Sequence, residues 1–277
     1  MSTEPALNSV PSSIPERWSE AGLTVELHGR VAHVQLDRPD AINAIDPGLQ
    51  VGLEEAMRWC AFDGQVWVVL ISGTGPRGFC SGVDLKAMQA RDGDDQVSAI
   101  PTAGPLQALF ESVLFCPKPT VAALHGWALG AGCELALCCD LRIAGESARI
   151  GLPEAKRSLG GAFGMQLLPR RVPPGLAYEM LYLGTDVDAE RAERLGLVNQ
   201  VVADDDLVVT ALDVCQQIAA NAPLTTRRYK AAINHTSHLP VAAAVRVPLE
   251  PNPYSSEDRQ EGVAAFLEKR EPSWTGR

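Results

Sequence analysis

Two runs of alternating apolar and polar residues open the readable part of the chain. Leu23–Leu27 and Val31–Leu36 flank His28-Gly29-Arg30, the pattern of a β-hairpin. Arg38-Pro39 ends the second strand, and Asp46-Pro47 supplies an N-cap and a proline suited to a first helical turn, predicting a helix to about Phe62. Val66–Ser72 is a continuous apolar, β-branched run, hence a buried strand. Lys86–Ala103 is polar and contains Asp92-Gly93-Asp94-Asp95, which reads as a solvated loop or as a mobile segment over a site. Pro105–Phe115 has helical spacing, and Thr120–Leu124 is a short strand. Cys133–Cys139 lacks helix breakers and predicts a helix, followed by strands at Asp140–Ala144 and Ala148–Ile150 around Gly145-Glu146-Ser147. Helices are expected at Met165–Arg171, Gly175–Leu183 and Ala189–Leu195, with a last strand at Val198–Val202. Beyond Asp204 the pattern is helical throughout: Leu207–Ala220, Leu224–Asn234, Val241–Val247 and Glu257–Arg270, separated by Pro223, Pro240 and Pro248–Pro253. The order strand–strand–helix recurs, which suits a winding of similar units in an α/β fold.

Between these elements lie two glycine-rich turns. Gly126-Trp127-Ala128-Leu129-Gly130-Ala131-Gly132 enters the Cys133–Cys139 helix, and Gly75–Lys86, containing Phe79-Cys80-Ser81-Gly82-Val83-Asp84-Leu85, again leads from a strand toward a helix. Small residues let a ligand approach the backbone, and the first amides of a helix lack intrahelical partners, so both turns offer N–H groups to a developing negative charge. Glu134 lies just inside the helix and Glu154 follows Pro153 at the end of a short extended segment. Two carboxylates beside an amide-rich turn can move protons next to an oxyanion. The same residues are also compatible with a buried glycine turn and two solvated glutamates.

Composition narrows the partners. The chain has 277 residues and a mass of 29.6 kDa, enough for one core with an appended subdomain. A net charge of −10 argues against a general nucleic-acid surface while leaving room for an anionic ligand held by local dipoles. The seven cysteines lie mostly in apolar segments with no Cys-x-x-Cys pair, the usage of buried reduced thiols in a cytoplasmic protein. The five histidines are scattered and no metal site is expected. The first twenty residues, rich in Ser, Pro and Glu, read as a loose tail, and no stretch approaches the ~20 apolar residues of a membrane span.

The two turns resemble those of the enoyl-CoA hydratase/isomerase family, also called the crotonase family. The resemblance is carried by Phe79–Leu85, Gly126–Leu135 and Pro153-Glu154, with further matches at Leu36-Asp37-Arg38-Pro39, Asn43-Ala44-Ile45 and Glu261–Arg270. It implies a crotonase-like spiral of ββα units over residues 21–203, after a flexible tail at 1–20 and before a helical C-terminal trimerisation subdomain at 204–277. It implies an acyl-CoA thioester substrate, with no cofactor beyond the coenzyme A of the substrate itself, and a homotrimer or hexamer. The thioester enolate would be held by the backbone N–H groups of Val83 and Ala131. Glu134 and Glu154 match the acids of members that add water to a 2-enoyl thioester: Glu134 for the water and Glu154 for the Cα proton, roles that could be exchanged or shared. Coenzyme A contacts are implied around Ser81, Asp84, Leu85 and Lys86, with Phe266 and Lys269 reaching its nucleotide end; Asp84 reads more as a turn former. Arg38 and Arg77 are weaker candidates. Double-bond isomerisation, carnitinyl-type dehydration, thioester hydrolysis and a non-catalytic CoA-binding subunit are the other readings. The run Ala155–Met165 departs from the family pattern and is expected to shape the acyl pocket.

Overall fold

In the computed structural model, which describes residues 14–87 and 106–277, the chain builds two sheets and surrounds them with helices. The strands are β1 (Leu23–His28), β2 (Val31–Leu36), β3 (Val68–Gly73), β4 (Thr120–Leu124), β5 (Trp127–Leu129), β6 (Leu141–Gly145), β7 (Arg149–Gly151), β8 (Asp186–Asp188) and β9 (Gln200–Val202). The helices are α1 (Glu16–Glu20), α2 (Pro47–Phe62), α3 (Leu106–Leu114), α4 (Ala131–Cys138), α5 (Gly164–Arg171), α6 (Pro174–Leu183), α7 (Ala189–Arg194), α8 (Leu207–Ala219), α9 (Pro223–Thr236), α10 (Val241–Ala244) and α11 (Glu257–Glu268). The larger sheet has the order β1-β2-β3-β4-β6-β9 and the smaller one β5-β7-β8. Only the β1–β2 hairpin is antiparallel in the larger sheet. Its central strands β3 and β4 are buried on both faces, which is why they read as unbroken apolar runs rather than alternating ones.

The winding is visible in the pairing of the second layer. After β2, Ile45 bridges Val83; after β3, Gly78 and Cys80 bridge Gly126 and Ala128; after β4 comes β5; and after β6 comes β7, which pairs with β5. Each turn thus spends one strand in the large sheet and a shorter piece in the second layer before its helix, the spiral of ββα units expected. β5 and β8 are strands the sequence pattern did not predict. Flanking glycines hide the first, because Gly126 (φ 45°) and Gly130 (φ 54°) bend sharply on either side of only three extended residues. The paired backbone, not side-chain alternation, makes Trp127–Leu129 extended.

Two expected boundaries shift. The first is the loose tail at 1–20: residues 1–13 lie outside the described ones, but Glu16–Glu20 form α1 and Trp18 is buried. The Trp18 ring meets Trp59 edge-on at 6.0 Å, and its Nε1–H donates to Glu55 Oε2 at 3.1 Å. The second is the separate subdomain at 204–277. Leu207, Ala211 and Cys215 of α8 pack on Val31, Val68, Leu70, Val121, Ala123 and Ile143, so this helix covers one face of the large sheet and belongs to the core. The opposite face packs against α1–α6. From α9, Lys230 reaches in to Asp140 at 2.9 Å. Among the described helices, only α10 and α11 carry mostly exposed apolar residues. The expected helix at Val241–Val247 shortens to Val241–Ala244, and most of the polar segment Lys86–Ala103 lies outside the described residues. No single helix among the described residues is long and apolar enough to cross a membrane.

Candidate active site

The turn after β3 is held open by side chains that tie it to the hairpin. Asn43 (φ 53°, fully buried) donates to Thr74 O and Gly78 O, each at 3.0 Å, while its Oδ1 accepts from Arg38 N–H at 2.9 Å. Ile45 N–H donates to Gly82 O, and Asp84 N–H donates to Ile45 O, which leaves the intervening Val83 N–H unused. Ser81 is spent on the scaffold: its N–H donates to Ile42 O and its hydroxyl to Ala41 O. Asp84 accepts from Lys86 N–H at 3.1 Å and Ala87 N–H at 3.3 Å, starting the next helix. Partial burial pushes the Asp84 carboxyl up, but these two amides and Arg38 outweigh it and hold the group below its ordinary value. Asp84 is therefore a turn former, as its type suggested.

The second turn is the start of α4. Its N-cap is Gly130, with no side-chain cap, and Ala131 is the first helical residue. Neither the Val83 nor the Ala131 N–H has an acceptor among the described residues. The turns press together so closely that only glycine fits between them. A Cβ on Gly82 would stand 2.9 Å from Leu129 O and 3.3 Å from Ala131 N, and one on Gly132 would stand 2.2 Å from Cys80 O. Two free amides from two chain segments thus border one crevice, the arrangement that stabilises an oxyanion.

The carboxylates converge there. Glu134 is 4% exposed on α4, and its Oε1 accepts from Gly164 N–H at 2.6 Å. Burial pushes this carboxyl up to about 7; Glu154 adds to the rise, while the Gly164 and Phe163 N–H groups oppose it. Glu154 sits in a 3₁₀ turn, Pro153–Arg157, rather than at the end of an extended segment. Burial raises its carboxyl too, against its own backbone N–H and Arg157. Its buried Oε2 has no hydrogen-bond partner. A Cβ built on Gly161 would lie 3.3 Å from Glu134 Oε1 and 3.8 Å from Glu154 Oε1, so both carboxylates face the space beside that glycine. A Cβ on Gly130 would lie 3.2 Å from Glu154 Oε1, which brings this carboxylate to the oxyanion turn as well. The reading of both glutamates as solvated surface groups fails on these contacts.

The family model for enoyl-CoA hydratase/isomerase matches residues 26–277. The chain belongs to the enoyl-CoA hydratase/isomerase family. Within it, the crotonyl-CoA hydratase of Syntrophomonas wolfei is 33% identical over 258 residues, covering 91% of this chain and 97% of its own. The (E)-benzylidenesuccinyl-CoA hydratase of Thauera aromatica is 35% identical over 264 residues, covering 92% and 99%. The crystal structure of enoyl-CoA hydratase from Bacillus anthracis superposes with a TM-score of 0.85 at 32% identity, covering 92% of this chain and all of that one.

Not every predicted contact of this family member falls at the site. Leu85 and Lys86 are exposed immediately after the first turn. Phe266 is 83% exposed on α11, and Lys269, just past it, is exposed; neither is packed into the core of its own chain. Arg38 is tied to Asp46 at 3.0 Å and Asp84 at 3.5 Å, and Arg77 to Pro39 O and Asp40 O, so both brace the segment between β2 and α2 against the first turn. Gly161, Phe163 and Gly164 lie in the run Ala155–Met165 expected to shape the acyl pocket, but none of them was singled out as a neighbour of the two glutamates. Phe163 packs on Phe110 with ring centroids 5.1 Å apart, next to the amide that holds Glu134. Their signal was present: Gly160-Gly161-Ala162-Phe163-Gly164 is a third glycine-rich run entering a helix. All seven cysteines are free and buried; burial pushes Cys80, nearest the first turn, up to about 12, which leaves it protonated at neutral pH.

Proposed function

We propose that the chain is an enoyl-CoA hydratase, adding water across the 2,3 double bond of a 2-enoyl-CoA thioester. The observation that carries this is the convergence of two carboxyls, both raised by burial, on one space beside two unpaired backbone amides. The thioester carbonyl oxygen accepts from Val83 N–H and Ala131 N–H, which stabilise the charge that builds on it as water attacks Cβ. Glu134, whose ionised form accepts from the Gly164 N–H, takes a proton from the attacking water. Glu154, whose free Oε2 has no competing donor, delivers a proton to Cα. Both groups act from the same side, so the addition is syn. Afterwards Glu134 carries the proton and Glu154 does not, and exchange with solvent resets the pair. Because the two carboxyls interact, their titration belongs to the pair.

The test is conversion of crotonyl-CoA, followed by loss of the conjugated enoyl-thioester absorbance and by identification of the 3-hydroxy product. Glu134→Gln and Glu154→Gln keep the volume and remove a titrating group. Each is expected to lose roughly 10²-fold or more in turnover, the scale of general acid–base catalysis. The double variant should be little worse than the poorer single, since groups acting as a unit are not additive. Turnover at wild-type rate in either single variant refutes the assignment. Double-bond migration without water uptake, abolished by Glu154→Gln alone, establishes an isomerase instead. Binding of CoA thioesters without turnover of any would establish a non-catalytic subunit.

Assembly belongs to the same reading. Val241, Val245, Tyr254, Val263, Phe266 and Leu267 are all more than half exposed on the C-terminal segment. An apolar set of this kind supports a trimer or hexamer in which Phe266 and Lys269 of one subunit approach the coenzyme A bound by another.

A further inference from the structure

The β1–β2 hairpin carries a cluster that the hydratase chemistry does not use. Glu26 and His28 are two residues apart on β1 and so project from the same face of the strand. His33 on β2 is the cross-strand partner of Glu26 in the antiparallel register. Directly paired side chains on one face of a ribbon sit close together. Here one donor atom each from Glu26, His28 and His33 lies within 4.8 Å of the other two. No linear motif announces the group, because the three residues meet only through the hairpin register.

Three details single it out from a chance surface cluster. His33 is 2% exposed, and its Nε2 is 2.8 Å from Ser72 Oγ on β3, an outer contact that holds the ring in place. His28 Nε2 is buried with no hydrogen-bond partner, although Glu26 Oε2 lies 3.5 Å away. A buried polar nitrogen left unpaired calls for a partner. The His28 and Glu26 side chains are 36% and 56% exposed, which leaves an entry path and room for a water as a further ligand.

We propose that Glu26, His28 and His33 form a binding site for a divalent transition-metal cation, with Zn²⁺ as the probe of choice. Two borderline-soft imidazole nitrogens beside one carboxylate oxygen suit this class of ion rather than Mg²⁺ or Ca²⁺, which take all-oxygen ligand sets. A tetrahedral ion with ligand bonds near 2.0–2.2 Å needs donors about 3.3 Å apart, so the donors need close in by at most about 1.5 Å. Glu26, exposed and flexible, can make most of that movement. The site lies on the sheet face that carries Val31 and Leu70 and is covered by α8, whereas α4 and its Glu134 pack against the other face. Its occupation clamps the edge strand β1 to β2 and leaves the catalytic space untouched.

The experiment uses the metal-stripped full-length protein. Titration with Zn²⁺ is expected to show one site per chain with micromolar or tighter affinity and a higher Tm, while Mg²⁺ gives neither. Co²⁺ in place of Zn²⁺ is expected to give weak visible bands without a thiolate charge-transfer band, which separates this site from the seven cysteines. Glu26→Gln and His28→Gln are each expected to weaken binding at least 10-fold, with crotonyl-CoA turnover unchanged; both positions are partly exposed, so both variants should fold. Absence of one-to-one binding below millimolar Zn²⁺ overturns the proposal. So does an affinity that neither variant alters, or a Co²⁺ spectrum dominated by thiolate. The readout is independent of turnover, so its failure does not touch the hydratase reading.

Discussion

Glu134→Gln should make the protein more stable in alkaline buffer while removing its activity. The Glu134 carboxyl is 4% exposed, and its pKa rises from an ordinary 4.5 to about 7, chiefly through burial. The proton is therefore held more tightly in the folded chain than in the unfolded one. Stability linked to this group is fully present below about pH 4.5 and is lost as pH rises toward 7. At about 1.4 kcal/mol per pKa unit, the ionised carboxylate costs about 3 kcal/mol at pH 8 and about 1 kcal/mol at pH 5. Glutamine carries no charge at either pH and still offers an oxygen to the Gly164 N–H, which now sits 2.6 Å from Glu134 Oε1. Its amide hydrogens lack an evident partner, but that penalty is the same at both pH values and cancels in the comparison. Relief of Glu154, whose charge is one cause of the Glu134 rise, acts in the same direction. Urea unfolding at pH 5 and pH 8, at matched protein concentration, should show the variant gaining about 2 kcal/mol relative to wild type between the two conditions. Turnover should fall roughly 10²-fold or more. A stability difference independent of pH would mean that Glu134 ionises freely in the folded state, and the desolvated general base proposed for it would be wrong.

Three further outcomes follow from the geometry. Ala131→Pro removes one oxyanion donor at a first helical position, where proline suits the backbone, and should abolish turnover with the fold retained by circular dichroism, whereas Val83→Ala keeps its N–H and should stay active; a folded, active Ala131→Pro refutes the donor assignment. Trp18→Ala empties a fully enclosed site against Trp59 and should cost about 3–5 kcal/mol in urea unfolding with turnover of the surviving folded protein unchanged; a near-neutral result would return α1 to the loose tail. Sedimentation should show a trimer or hexamer, and a fully active monomer would sink the proposed contact of Phe266 and Lys269 with a neighbour's coenzyme A.

Local patterns determined most of the elements and the candidate chemistry of this protein. Asp46 does accept the Leu49 N–H at 2.8 Å as an N-cap, Pro47 does open the helix, and the hairpin turns at Gly29 as its alternation requires. The glycine turns at Gly82 and Gly130 and the two glutamates were legible for the same reason: residue type dictates which backbone angles and which protons are possible. Position in the chain says little, however, about which of these meet. The strands Trp127–Leu129 and Asp186–Asp188 exist because other strands pair with them, not through any period of their own. Trp18 looked like part of a polar tail until Trp59 enclosed it. Glu134 and Glu154 became a pair only when the spiral brought Gly161 and Gly164 over them, and the hold of Gly164 on Glu134 spans 30 positions of sequence. Glu26, His28 and His33 share a face through hairpin register alone. Composition and periodicity act over a few residues, so they determine elements; desolvation, register and close approach depend on segments distant in sequence, so only the folded chain decides the protonation, spacing and partners of its reactive groups.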